Sequence, residues 1–130
     1  MKEKLSLLTE LIKLASCDKK IREKEYDFIM IIAERLGVEK ATCDKLFAEY
    51  IEFTPPKSEF DRILQFHRLV LLMNIDQDIS AKELDFIKNL GIRMGLNPMA
   101  TNKVLIEMHT YPDKLVPSDR LIEIFREQYN

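Results

Sequence analysis

Glycine and cysteine are scarce in this chain, and each scarcity removes a class of function. Its 130 residues include three glycines, Gly37, Gly91 and Gly95, none of them clustered. No glycine-rich loop is therefore present to cradle a phosphate, which excludes a P-loop nucleotide hydrolase. The two cysteines, Cys17 and Cys43, have neither the number nor the spacing of a disulfide framework or zinc knuckle, and they fit a reducing, cytoplasmic setting. The longest apolar runs are Phe28 to Ala33 and Leu69 to Met73, far short of the roughly 18 residues of a bilayer span. No secretory leader is read, and membrane insertion is not expected. Neither charge sign dominates, with 20 basic against 22 acidic side chains. The basic residues form no stripe able to neutralise a run of phosphates, so nucleic acid is not an expected partner.

What the chain does have is apolar residues in quantity, 46% beside 32% charged, the profile of one compact domain spanning 1–130. It also has an internal repeat. Asp18 to Val38 aligns with Asp76 to Leu96, 58 residues on, and nine pairs are identical: Asp18/Asp76, Ile21/Ile79, Lys24/Lys82, Glu25/Glu83, Asp27/Asp85, Phe28/Phe86, Ile29/Ile87, Arg35/Arg93 and Gly37/Gly95. Core, cap and acidic positions all recur, and helical periodicity alone would not select the acidic ones. Asp61-Arg62-Ile63-Leu64 matches Asp119-Arg120-Leu121-Ile122 at the same offset, as the first helix of a truncated third unit.

Each unit reads as three helices, so the expected fold is all-α, with about seven helices. Repeat one covers about 3–54, repeat two about 58–112, the two in pseudo-twofold arrangement, and a C-terminal helix covers about 118–129. The first helices carry Leu5, Leu8, Leu11, Ile12 and Ala15, and Ile63, Phe66, Leu69, Val70 and Met73, at the i, i+3, i+4, i+7 spacing of an amphipathic helix. Ser80-Ala81-Lys82-Glu83 reads as a capping box opening the second helix of repeat two, of which repeat one keeps only Glu25. Gly37 and Gly95 end the second helices. The third helices begin near Glu39 and at Asn97-Pro98, and stop before Pro55-Pro56 and Pro112. A unit of this size buries too little surface to be secure alone, so the two should share one core. The second helix of repeat one is apolar almost all round, whereas Lys88 and Asn89 replace Met30 and Ile31 in its counterpart. The first copy is therefore expected to lie centrally, with the C-terminal helix covering Met30 and Ile31.

The acidic turns carry the candidate site. Asp18 and Glu25 share the D-x(6)-E spacing of Asp76 and Glu83, which puts an aspartate at the turn and a glutamate in the next helix's first turn. Both carboxylates can lean towards one loop, where a hard cation such as Ca²⁺, Mg²⁺ or Mn²⁺ could bridge them. The structural reading of the same acids is that they accept N–H groups of the turn and complement the helix dipole. The second turn is the better metal candidate, because Asp76, Asp78 and Glu83 have only Lys82 beside them, while Lys19, Lys20, Arg22 and Lys24 crowd the first. An EF-hand fails at Ala81, where the sharp-turn glycine belongs, and at Ile87, where the bidentate glutamate belongs.

Ala15-Ser16-Cys17-Asp18-Lys19-Lys20-Ile21 through Glu25, and Asp76-Gln77-Asp78-Ile79 through Glu83, with helices ending at Leu36-Gly37 and Met94-Gly95, resemble the repeats of TerB-like (tellurite-resistance TerB) domains. Those carry A-x-x-D-G-x-hydrophobic-x-x-x-E and then an apolar helix ending in L-G. The resemblance covers about residues 5–110. It implies an all-α fold and an acidic site for a divalent metal within an intracellular stress-response scaffold. The acidic role would fall to Asp18, Glu25, Asp76 and Glu83. Two departures bear on the metal: Lys19 and Gln77 replace the glycine, and Arg22 and Ser80 replace a further acid often found four residues after the aspartate.

Other constellations read as structural. His67 and His109 have no recognisable nucleophile beside them, Cys17 is held protonated by Asp18 next to it, and Met94, Met99 and Met108 read as core. The expected function is a non-enzymatic, intracellular TerB-like binding or scaffold domain of stress-response type, with the paired acidic turns as candidate sites for Ca²⁺, Mg²⁺ or Mn²⁺ and with a protein partner, a homodimer being one form of it. The alternatives are a metal-free helical adaptor and a hydrolase with metal-activated water.

Overall fold

A computed structural model describes residues 1–75 and 77–128 of the chain. It is all-α: α1 Lys2–Ser16, α2 Glu23–Arg35, α3 Lys40–Leu46, α4 Glu59–Met73, α5 Ala81–Arg93, α6 Pro98–Glu107 and α7 Ser118–Glu127, with short 3₁₀ turns at Met108–Thr110 and Pro112–Lys114. No described helix is long and apolar enough to cross a membrane.

The helix ends follow from local chemistry. Ser58 accepts the Asp61 N–H at 3.1 Å and Asn97 accepts the Met99 N–H at 2.9 Å, each supplying an acceptor to an N-terminal amide without an intrahelical partner. After α2 and α5 the chain turns at Gly37 (φ 76°) and Gly95 (φ 75°). Val38 N–H then reaches Ala33 O at 2.8 Å and Leu96 N–H reaches Gly91 O at 3.0 Å. This Schellman closure requires a left-handed residue, where glycine has no Cβ to clash. α3 stops at Leu46, well before Pro55.

The core is built on α1 and α4. Leu8, Leu11, Ile12, Leu14 and Ala15 of α1 and Phe66, Leu69, Val70, Leu72 and Met73 of α4 are fully buried, and α1 also packs against α2, α3 and α5. Gln65 lies buried in this interface with its amide donating to Leu7 O at 3.1 Å. Residues 50–57 form an irregular strap along α1, where Thr9 Oγ1 accepts the Ile51 N–H at 3.2 Å and Ser6 Oγ accepts the Thr54 N–H at 3.1 Å.

Three expectations are corrected here. α2 is no more central than α5: it buries Glu25, Ile29, Ile32 and Ala33, against Glu83, Ile87, Leu90 and Gly91 in α5. Nor does α7 cover Met30 and Ile31. It packs on α4 and α6, burying Leu121, Ile124 and Phe125, whose ring meets Phe66 edge-on at 6.1 Å. Ile31 stays 49% exposed. The reason is electrostatic as well as apolar: Arg120 grips both oxygens of Glu107 at 2.7 and 2.8 Å and reaches Glu127 at 3.1 Å, which fixes α7 against the end of α6 through a bidentate pair. Met94 and Met108 are core, but Met99 is 69% exposed.

Phe125→Ala should cost about 3–5 kcal/mol in chemical denaturation, whereas Ile31→Ala should stay within about 0.5 kcal/mol. The Glu107 carboxyl lies below its ordinary value of 4.5, first through hydrogen bonding to Arg120. A carboxylate depressed in the folded state contributes stability that is present above the unfolded value and is lost as pH falls through the folded one. Denaturation midpoints should therefore decline below pH 4.5, and Glu107→Gln should flatten that decline.

Candidate functional site

The two turns joining α1 to α2 and α4 to α5 come from equivalent sequence but use it differently. Before α5, Ser80 is extended (φ −93°, ψ 160°). Its N–H donates to Glu83 Oε1 at 2.9 Å, while Ser80 Oγ accepts the Glu83 N–H at 3.1 Å, a complete reciprocal cap. Before α2, Arg22 takes the same extended conformation and its N–H donates to Glu25 Oε1 at 2.8 Å. Arg22 has no side-chain acceptor to return the bond, so only the glutamate half is formed. Glu25 and Glu83 are 1% and 2% exposed; each is a buried carboxylate with one oxygen committed to backbone.

The backbone of the turns differs too. Gln77 is left-handed (φ 61°), and among the described non-glycine residues it shares that region only with Asp113 and Lys114. Lys19, its counterpart, does not enter it. A side chain there costs roughly 1–2 kcal/mol relative to a right-handed residue, and Gln77 Nε2 offsets this by donating to Asn74 O at 2.8 Å and Asp113 O at 3.1 Å.

The turns approach one another across the fold. Asp18 Oδ1 lies 3.9 Å from Lys82 Nζ, so the first turn's aspartate meets a cation at the start of α5. The intervening Cys17 thiol is pushed up by burial first and then by the negative charges of Glu83 and Asp18, with Lys82 opposing. That protonated thiol is a poor nucleophile. On the other side, Ile75 lines a cleft of about 480 Å³ with Arg22, Glu23, Lys24 and Glu25. Each turn thus sits against the opening of the other repeat's second helix.

Of the sequence-derived candidates, Asp18 faces Lys82, Glu25 and Glu83 turn inward as caps, and Asp78 is exposed. Asp76 lies outside the described residues. Among the described residues no three His, Cys, Asp or Glu side chains gather to hold a metal. His67 is half-buried against the Val116 backbone, and burial pushes its pKa down. His109 is exposed at a cleft of about 490 Å³ with Leu84, Lys88, Asn102, Leu105 and Ile106.

One charged residue escaped the sequence reading. Glu10 is fully buried in α1, with Oε1 3.4 Å from Arg93 and Oε2 3.4 Å from Lys13. Its position between Thr9 and Leu11 marks it as part of α1's buried face only once the strap is known to cover that side.

Comparison with known proteins adds no relative: no family model matches the chain, nor does any curated protein or solved structure.

Ser80→Ala should cost about 1 kcal/mol of stability. Glu83→Gln, whose amide oxygen can still accept the Ser80 N–H, should cost less, as read by urea denaturation of the full chain.

Proposed function

We propose that this chain is a non-enzymatic binding domain of TerB-like kind, a helical scaffold that engages a protein partner in a cytoplasmic stress-response setting. The observation that carries this reading is the use made of Glu25 and Glu83. Both are buried and accept the N-cap N–H groups at 2.8 and 2.9 Å, so these two recurring glutamates serve architecture. The surface supports binding: Met99 (69% exposed) and Ile106 (74%) stand in solvent on α6, where they line a cleft of about 560 Å³ with Asn102, Lys103, Glu107 and Thr110. Large apolar side chains grouped beside a cleft favour a protein partner.

A divalent cation at the turns is the second reading. It is favoured by the shared influence of Asp18 and Glu83 on Cys17, which puts acids of both turns in one neighbourhood. Lys82 already balances that charge, and the described acids are engaged elsewhere, so the donor set fits a cation poorly.

Thermal unfolding of the chelated chain titrated with Ca²⁺, Mg²⁺ or Mn²⁺, beside Asp18→Asn/Glu83→Gln, separates the two. The expected result is no metal-dependent shift, with a double variant that is less stable in every buffer. A cation at 100 times its Kd would instead add about 2.7 kcal/mol. Such a rise, lost in the variant, would replace the metal-free scaffold with a metal-dependent one.

A further inference from the structure

Each repeat leaves a cleft between its second and third helices, and the two clefts differ in charge. In repeat one, Tyr26, Asp27, Met30, Ala33 and Glu34 of α2 meet Val38, Glu39 and Lys40 around a volume of about 460 Å³. In repeat two, Leu84 and Lys88 of α5 stand 58 residues after Tyr26 and Met30, and with Asn102 and Ile106 of α6 they line a cleft of about 490 Å³.

The floor of the first cleft is apolar: Ala33 and Val38 are buried, and Tyr26 and Met30 are half-buried. Asp27, Glu34 and Glu39 are exposed around it, and the spacing of 27, 30 and 34 sets both α2 carboxylates on the helix face that carries Met30. Among the described residues none of the three carboxylates forms an ion pair or a side-chain hydrogen bond. Lys40, the cation among the lining residues, is committed elsewhere. Its Nζ lies 3.0 Å from Asp44 Oδ2, while Tyr26 Oη donates to Asp44 Oδ1 at 2.7 Å. The rim therefore keeps three negative charges.

The shared architecture does not call for two of them. Repeat two has Ile92 and Asn97 in place of Glu34 and Glu39, and it has Lys88 in place of Met30. Asn97 accepts the Met99 N–H at 2.9 Å as the cap of α6, whereas Glu39 stands at the same position before α3 without capping it.

We propose that the α2/α3 cleft docks a basic amphipathic segment of a partner protein. An apolar side chain of that segment fills the space above Met30, Ala33 and Val38, and Lys or Arg side chains flanking it pair with Asp27, Glu34 and Glu39. Charge selects this occupant. Carboxylates without partners around an apolar floor repel an acidic segment, and Lys88 turns a basic one away from the cleft of repeat two. A net charge of −2 gives a second copy of this chain no general attraction to an acidic cleft.

The inference rests on the binding-domain reading, and one selection tests both. A displayed library of random peptides is selected on the full chain, and the winners are measured against Glu34→Lys, Met30→Lys and a charge-matched control on α4, Glu59→Lys. Glu34 is exposed and without a partner, so Glu34→Lys should keep the parent's thermal midpoint; Met30→Lys copies Lys88 from the other repeat. The expected winners interleave Lys or Arg with Leu, Ile, Met or Phe and shift the Met30 methyl resonance. They bind Glu34→Lys and Met30→Lys at least about tenfold more weakly, bind Glu59→Lys nearly as well as the parent, and weaken as salt rises. Acidic or uncharged winners, or equal losses on Glu34→Lys and Glu59→Lys, would overturn the cleft. Winners that map to Met99 and Ile106 would overturn it and leave the binding domain standing, whereas no enrichment at all would count against both. A homodimer in sedimentation that Glu34→Lys dissociates, or spermine occupying the cleft more tightly than any winner, would likewise overturn the proposal.

Discussion

The packing of α1 against α4 is the constraint on which the other elements depend. These two helices bury their apolar faces against each other and around Phe66; α2, α3, α5 and α7 pack on one or both of them, and α6 packs on α5 and α7. Burial of that kind, at about 25 cal/mol per Å² of apolar surface, is the main favourable term available to a chain with no disulfide among its described residues. The one buried amide in the interface, Gln65, has its N–H donated to Leu7 O. An unpartnered amide there would cost about 1–3 kcal/mol, so this bond also helps set how the helices register.

With α1 and α4 placed, the turns that leave them have little freedom. Each delivers its chain to the opening of the other repeat's second helix, which is why Asp18 meets Lys82 and Ile75 meets Arg22 to Glu25. The acids at these turns satisfy two demands at once: Glu25 and Glu83 accept the N-cap amides, and their charge complements the positive end of the helix they open. Such a site is stable because its charges are used up locally.

The two halves diverge where they meet the rest of the chain. Residues 50–57 lie along α1 and seal its outer side, whereas the segment after α6 winds through two 3₁₀ turns and leads into α7, which Arg120 anchors to Glu107. The side of α1 that meets α5 is therefore completed by Glu10 and Phe53, whereas Ile31 of α2 and Leu64 of α4 stay exposed.

Much of this was legible in the residues alone. The 3.6-residue spacing of Leu8, Leu11, Ile12 and Ala15, the Ser80/Glu83 box, and Gly37 and Gly95 at the helix ends act over a few residues, so their outcome does not depend on distant partners. The replacement of a turn glycine by Gln77 was visible too, though not that Gln77 would take the left-handed backbone while Lys19 would not, since two bonds to Asn74 and Asp113 decide it. Which apolar face each helix buries belonged to tertiary structure. The apolar run of α2 suggested a central helix, but α7 had a better partner in α4 and α6, because Arg120 could reach Glu107 there. Local patterns determine where helices begin, end and turn; only the packed chain decides which faces are covered, because coverage is a competition among surfaces far apart in sequence.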